Sequence, residues 1–130
     1  PLHQDIRYFT MRPASSIVAS WTAMMPTRRA NGCLAVLPGS HREGVLTHGS
    51  PDWNYLNHGF FGIEDVDLAR RQHVEMQPGD TLLFHPLLIH GSGRNRTENF
   101  RRAISVHYAA ARCESSRGDW RTKPQVRRIC

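Results

Sequence analysis

The sequence predicts an all-β domain, built as a sandwich or a jelly-roll barrel. Three observations favour this fold: the apolar segments are short, Pro and Gly punctuate them, and no long segment has the periodicity of an amphipathic helix. With 130 residues, of which 39% are hydrophobic and 22% charged, the chain is long enough for one domain with its own core.

Turn sequences divide the chain into seven predicted strands. Asn31-Gly32, Pro38-Gly39-Ser40 and Pro78-Gly79-Asp80 are clear turn signals. In chain order the predicted strands are His3–Phe9, Ile17–Met25, Cys33–Leu37, His73–Met76, Thr81–Phe84, Leu87–Gly91 and Arg102–Ala109.

The longest region without a predicted strand covers residues 41–71. It is rich in Gly, His, Asn and Asp, and we expect a short helix near Ile63–Arg71. A loop of this length in a compact domain is usually a lid or a binding loop. Trp53, Phe60 and Phe61 could cover a substrate there, or simply anchor the loop.

Several predicted strands are apolar on both faces, most clearly the CLAVL segment Cys33–Leu37. Such strands need cover on both sides of their sheet. Few segments of this chain could form helices to supply it. We therefore expect the domain to be incomplete at its N-terminus.

The basic excess lies mainly near the C-terminus. Residues 111–130 hold six basic and two acidic residues, which is +4 of the formal net charge of +6. Residues 112–130 are predicted to be a basic, poorly ordered tail. No aromatic-basic motif accompanies the charge, so a nucleic-acid partner is not expected. No apolar run approaches the roughly 20 residues that a membrane span needs.

The triplet His3-Gln4-Asp5 is the first candidate for chemistry. Residues i and i+2 of a strand project to the same side, so His3 and Asp5 are predicted to point together, with Gln4 opposite. An imidazole and a carboxylate make up two thirds of the facial triad that suits non-heme Fe(II) oxygenases. The triplet by itself is a weak signal, since it occurs by chance in many proteins.

The third ligand of such a triad has two candidates, His85 and His90, both in the segment GDTLLFHPLLIHGSG. Pro86 lies between them, so strand alternation cannot choose. His90 is followed by Gly-Ser-Gly, and small residues let a ligand approach the backbone closely. This context favours His90.

An arginine pair precedes the last predicted strand. Alternation gives this strand two faces, one carrying Arg101, Ala103, Ser105 and His107, and the other carrying Arg102, Ile104, Val106 and Tyr108. The polar face predicts that Arg101 lies in a cavity, where its planar guanidinium suits a carboxylate. The alternative is that both arginines are solvated at the start of the strand.

Four motifs in order carry a family resemblance: His3-Gln4-Asp5, SWTAMMPTRRANGCLAVLPGSH, GDTLLFHPLLIHGSG and NFRRAISVHYAAA. Together they resemble the phytanoyl-CoA dioxygenase family, from Leu2 to about Ala111. The resemblance implies a double-stranded β-helix, a jelly roll of the cupin-like kind. It assigns residues 1–111 to a partial Fe(II)/2-oxoglutarate dioxygenase domain.

The resemblance also implies roles for single residues. The catalytic iron ligands would be His3, Asp5 and His90. The residues at the co-substrate would be Arg101, which holds the distal carboxylate of 2-oxoglutarate, together with Trp21, Gln4 and Ser92. The implied cofactors are Fe(II), 2-oxoglutarate as co-substrate and O2, with ascorbate a further candidate.

The implied reaction is hydroxylation of a fatty acyl-CoA at C2, of the phytanoyl-CoA type found in fatty acid α-oxidation. The resemblance places such an enzyme in the peroxisome, although no targeting signal is visible in this chain. Two alternatives stay open. One is a related enzyme that hydroxylates another small molecule, and the other is a non-catalytic fragment that serves as an interaction module.

Overall fold

The computed structural model describes residues 1–49, 62–63, 65–116, 118–119, 121, 126–127 and 129. Within these ranges the chain forms short strands and 3₁₀ turns and no α-helix. The strands are β1 (Met11–Arg12), β2 (Ile17–Ala23), β3 (Leu34–Val36), β4 (Gln72–Val74), β5 (Thr81–Phe84), β6 (His90–Ser92), β7 (Ala103–Ala109) and β8 (Glu114–Ser115). The 3₁₀ turns are Asp5–Arg7, Ala14–Ser16, Ser40–Arg42 and Leu68–Arg70.

The strands form two three-stranded sheets, in the orders β5-β2-β7 and β4-β3-β6, and a two-stranded ribbon of β1 and β8. All of the pairings between them are antiparallel. Neighbours in each sheet are distant in sequence, as in a jelly roll. The main core joins the two sheets, since Trp21 of β2 and Phe84 of β5 pack with Leu34 of β3. The predicted all-β class is confirmed.

The inner face of β2 explains why the core forms where it does. Ile17, Ala19, Trp21 and Ala23 alternate along the strand, and all four are buried. The register places Trp21 opposite Ser105 and Ala23 opposite Ala103. Small side chains therefore flank the indole along β2 and on β7, while Leu82 of β5 lies opposite it on the other side.

The outer face of the sheet β5-β2-β7 is apolar and open to solvent. Its residues Val18, Leu83, Ile104, Val106 and Tyr108 are between 37% and 62% exposed. The register brings Leu83 and Val106 to either side of Ser20, so these side chains form one patch. An apolar surface of this kind favours association.

We expect the 130-residue chain by itself to associate in solution through this outer face. Replacing both Leu83 and Val106 by Lys should shift the population toward monomer, because two like charges would then flank Ser20 in each patch. Light scattering after size-exclusion chromatography measures the mass. The matched control is Ile129→Lys, at an exposed apolar position outside the strands. A parent chain that stays monomeric would contradict this expectation.

The predicted strand His3–Phe9 is wrong. Only His3 pairs in an extended manner, through a bridge to His90, and Asp5–Arg7 then forms a 3₁₀ turn. The turn is closed by the N–H of Tyr8, which donates to the carbonyl of Asp5 at 2.9 Å. Asp is unfavourable within strands, and a local turn is the alternative it supports.

Two further elements differ clearly from the prediction, and four other predicted strands differ by one or two residues at one or both ends. The predicted strand Leu87–Gly91 begins only at His90, because Pro86 starts a turn in which the N–H of Leu88 donates to the carbonyl of His85. The expected helix near Ile63–Arg71 is a 3₁₀ turn at Leu68–Arg70 within the described part of that region. The aromatic residues Trp53, Phe60 and Phe61 lie outside the described residues.

The segment after residue 112 begins within the fold. Cys113 is fully buried against Ile6 and Ile17, and Glu114–Ser115 pairs with Met11–Arg12. The predicted disorder of the remaining tail stays a prediction.

In the ranges that the structure describes, no helix is long and apolar enough to cross a membrane.

Candidate metal centre

A backbone bridge brings the two candidate histidine ligands together. The N–H of His3 donates to the carbonyl of His90 at 2.8 Å, and the N–H of His90 donates back at 3.0 Å. The ring centroids of the two imidazoles are 4.4 Å apart. Both side chains are buried, so residues far apart in sequence present their rings side by side.

The turn at Asp5 completes the cluster. The carboxylate oxygen Oδ1 of Asp5 lies 3.3 Å from Nε2 of His3 and 3.5 Å from Nε2 of His90. One candidate ligand atom from each of the three residues lies within 4.8 Å of the others. His3 and Asp5 do point together, although the 3₁₀ turn rather than a strand is what directs the carboxylate.

The hydrogen bonds of the two rings set which nitrogen can bind a metal. Nδ1 of His3 lies 3.1 Å from the carbonyl oxygen of Pro1, and Nδ1 of His90 lies 3.0 Å from that of Leu88. A carbonyl oxygen only accepts, so each Nδ1 carries a proton, and Nε2 is the ring nitrogen placed to bind a metal. Backbone carbonyls orient metal-bound histidines in this way.

The charges of the cluster also suit a cation. Burial lowers the pKa of His90 to about 4, against the charge of Asp5, so the imidazole is neutral at physiological pH. Burial alone would raise the pKa of Asp5, but hydrogen bonds from His107 and His3 outweigh it and hold this pKa well below its usual range. The Nε2 atoms of His3 and His90 converge with the Asp5 carboxylate. This donor set fits a divalent metal such as Fe(II).

The competing histidine, His85, lies outside this cluster. Its Nδ1 accepts the N–H of Leu87 at 3.1 Å, and its ring lies 5.7 Å from that of His41. The structure therefore brings His90, and not His85, to His3 and Asp5.

Three of the four residues predicted at the co-substrate lie together. The guanidinium of Arg101 donates to the hydroxyl of Ser92 at 3.3 Å, and its Cζ lies 4.9 Å from the ring centroid of Trp21. Arg101 is half-buried, and this burial lowers its pKa. No carboxylate lies within ion-pair distance of Arg101 in the described part of the chain. A half-buried guanidinium between an indole and a hydroxyl fits the carboxylate of a ligand.

Gln4 is placed differently from the other three. Its side-chain amide donates to the carbonyls of Gly44 and Leu87, and its Oε1 accepts the N–H of Leu46. Gln4 is fully buried, and these bonds satisfy its polar atoms. They also connect the segment after Ser40–Arg42 to the chain between His3 and Asp5. Its contact with a cofactor stays a prediction.

Sequence reasoning missed His107, whose Nε2 lies 2.8 Å from Oδ2 of Asp5. The signal was present, because strand alternation placed His107 on the same face as Arg101. What the sequence could not show is that the Asp5 turn packs over this face.

Gly91, the small residue after His90, was predicted to make room for a ligand, but it makes room for the chain's own backbone. A Cβ on Gly91 would lie 2.8 Å from the carbonyl oxygen of Pro1. The small residue therefore admits the chain's own first residues, which places His3 beside His90.

A cavity of about 680 Å³, lined by Pro1, Ala35 and His73 among others, lies on the Gly91 side of the sheet β4-β3-β6. His90 is on the opposite side, because it alternates with Gly91.

A comparison with protein families decides what this cluster belongs to. The family model described as phytanoyl-CoA dioxygenase (PhyH) matches residues 1–103. The chain belongs to the phytanoyl-CoA dioxygenase family. The match includes the first three motifs and the beginning of the fourth, up to Ala103, which confirms the resemblance seen in the sequence.

Curated relatives agree over most of the chain. It is 57% identical over 111 residues to a probable phytanoyl-CoA dioxygenase of Caenorhabditis elegans, covering 84% of this chain and 36% of that protein. It is 52% identical over 115 residues to the peroxisomal phytanoyl-CoA dioxygenase of Homo sapiens, covering 87% of this chain and 34% of that protein. The chain thus spans about a third of the length of these relatives.

A solved structure supports the architecture. EvdO2 from Micromonospora carbonacea var. aurantiaca, determined in complex with 2-oxoglutarate, superposes with a TM-score of 0.67 at 26% identity, covering 88% of this chain and 48% of that one. The predicted jelly-roll fold of 2-oxoglutarate-dependent oxygenases is confirmed.

Proposed function

We propose that the whole protein hydroxylates a fatty acyl-CoA at C2, with Fe(II), 2-oxoglutarate and O2. The observation that carries the proposal is the convergence of His3, Asp5 and His90 on one point in a member of the phytanoyl-CoA dioxygenase family. The half-buried guanidinium of Arg101 beside Ser92, which suits a ligand carboxylate, is the second support. A saturated C–H bond carries no leaving group and no strong acidity, so this chemistry needs a metal and an oxidising co-substrate.

The chain's own residues have separable tasks in this reaction. His3, Asp5 and His90 hold Fe(II) through two Nε2 atoms and one carboxylate, and the bound iron supplies the oxidation of the C–H bond. Arg101 holds the distal carboxylate of 2-oxoglutarate, and Ser92 orients the guanidinium by accepting its hydrogen bond. The indole of Trp21 lies against that guanidinium and keeps water from one side of it.

The acyl-CoA substrate and the peroxisomal location rest on the similarity to relatives such as the human peroxisomal phytanoyl-CoA dioxygenase. A basic rim for the CoA phosphates is a weaker support. Arg42 and Arg71 are exposed near the long loop, whereas Arg70 donates to Glu43 at 2.8 Å and is already paired. Arg42 and Arg71 are the better candidates for contact with phosphate.

The test supplies the whole protein with Fe(II), 2-oxoglutarate and either phytanoyl-CoA or free phytanic acid. We expect 2-hydroxyphytanoyl-CoA with matched release of succinate, and much less product from the free acid, since the CoA part contributes binding energy. Mass spectrometry of the acyl-CoA and a succinate assay measure both products.

Two other outcomes would change the assignment. Hydroxylation of a different small molecule, with matched succinate, would contradict the acyl-CoA substrate and leave the iron site intact. No succinate from any substrate, in a protein that binds metal, would favour the non-catalytic alternative.

A further inference from the structure

His107 contacts Asp5, a candidate metal ligand, but is not itself one of the three candidate ligands. It is in β7, opposite Ala19 of β2, on the inner face of that sheet. Ala19 is fully buried and its side chain is a single methyl group. The imidazole therefore has room above the sheet to reach the turn that carries Asp5.

The two oxygens of Asp5 have different neighbours. Oδ2 lies 2.8 Å from Nε2 of His107, which is the distance of a good hydrogen bond. Oδ1 lies 3.3 Å and 3.5 Å from the Nε2 atoms of His3 and His90. Oδ1 is therefore the carboxylate oxygen that faces the two candidate ligand nitrogens, while Oδ2 faces the imidazole of His107.

The imidazole of His107 is itself held in place. Phe9, which follows the Asp5 turn, packs edge-on against it with ring centroids 4.6 Å apart at an interplanar angle of 66°. The Asp5 turn and Phe9 therefore meet His107 from two directions. Its Nε2–H keeps one orientation relative to the carboxylate.

We propose that His107 is a positioning residue of the metal centre, which holds Oδ2 of Asp5 so that Oδ1 faces Nε2 of His3 and of His90. The inference rests on the proposed function, because it assumes that these three residues bind the metal. A carboxylate that is free to rotate loses more conformational freedom when it binds a metal than one already held. Removing such a supporting hydrogen bond typically weakens metal binding by about 10- to 100-fold.

The test measures the affinity of the metal-free whole protein for Mn²⁺ by titration calorimetry, in the parent and in three variants. His107→Ala should bind Mn²⁺ about 10- to 100-fold more weakly. His107→Gln should recover most of the affinity, because its side-chain N–H can donate to Oδ2 from a similar reach. The control is His73→Ala in β4, whose side chain lies on the face of its sheet opposite to His90.

A second readout separates positioning from general stability. The melting temperature of each metal-free variant is measured beside its affinity. A role in folding alone would lower the melting temperature of His107→Ala and leave the affinity of its folded fraction unchanged, which would overturn the proposal. A His107→Gln variant as weak as His107→Ala would also overturn it, because the hydrogen bond would not be what matters.

The failure of this inference is distinguishable from the failure of the proposed function. If the parent protein binds no Mn²⁺, the metal centre itself is wrong, and the role of His107 falls with it. If the parent binds Mn²⁺ tightly and His107→Ala binds it equally well, only the role of His107 is overturned.

Discussion

Asp5→Ala and His90→Ala are each expected to remove bound iron from the whole protein. Each substitution deletes one of the three donors that converge on one point. The loss in affinity should exceed about 100-fold, since even the loss of a group that only supports a ligand costs 10- to 100-fold. Metal content after loading with Fe(II) and desalting measures the effect.

The matched control for this expectation is His85→Ala. His85 was the competing candidate in the sequence, and its ring lies beside that of His41, away from the cluster. This variant should keep its iron. Iron lost from His85→Ala and kept by His90→Ala would mean that the wrong histidine has been assigned.

Arg101→Ala is expected to raise the concentration of 2-oxoglutarate needed for activity by about two to four decades, while iron still binds. Breaking one side of a buried carboxylate–arginine pair costs about 3–5 kcal/mol, and each 1.4 kcal/mol is a tenfold change in affinity. Arg101 is half-buried, so the lower end of this range is the better expectation. Succinate release at varied 2-oxoglutarate concentration measures it.

Arg102→Ala is the natural control, because it removes the same charge from the adjacent position. Arg102 is exposed, and its backbone N–H points to the sulfur of Met25. Its loss should change the 2-oxoglutarate requirement little. Equal effects from the two variants would contradict the assignment of the strand's faces.

Strand alternation predicted which of the two arginines is the more buried, because that relation is local. Arg101 and Arg102 are neighbours that directly precede β7. The extended backbone there decides which of the two side chains faces inward. The same alternation placed His107 on the inner face. Local geometry was therefore enough to separate the two faces of a strand.

The convergence of His3 and Asp5 was predicted for a reason that the structure corrects. His3 and Asp5 do meet, but through a bridge to His90 followed by a 3₁₀ turn. An extended strand could not have been told from this turn by spacing alone. The bridge itself depends on Gly91, where the chain's first residue packs too closely for a side chain.

The contacts that sequence reasoning could not supply are all long-range. The bond between His107 and Asp5 joins residues 102 positions apart, and Gln4 holds Leu46 and Leu87 from 42 and 83 positions away. These contacts depend on how the two sheets and the loops pack against each other. Composition and periodicity carry no information on that packing.

Anomalous diffraction from crystals of the whole protein soaked in Mn²⁺ tests the central claim most directly. The account predicts one strong peak within bonding distance of Nε2 of His3, Nε2 of His90 and Oδ1 of Asp5, with His107 hydrogen-bonded to Oδ2. A peak at another group of side chains, or one bound by His107 or His85 in place of His90, would contradict it.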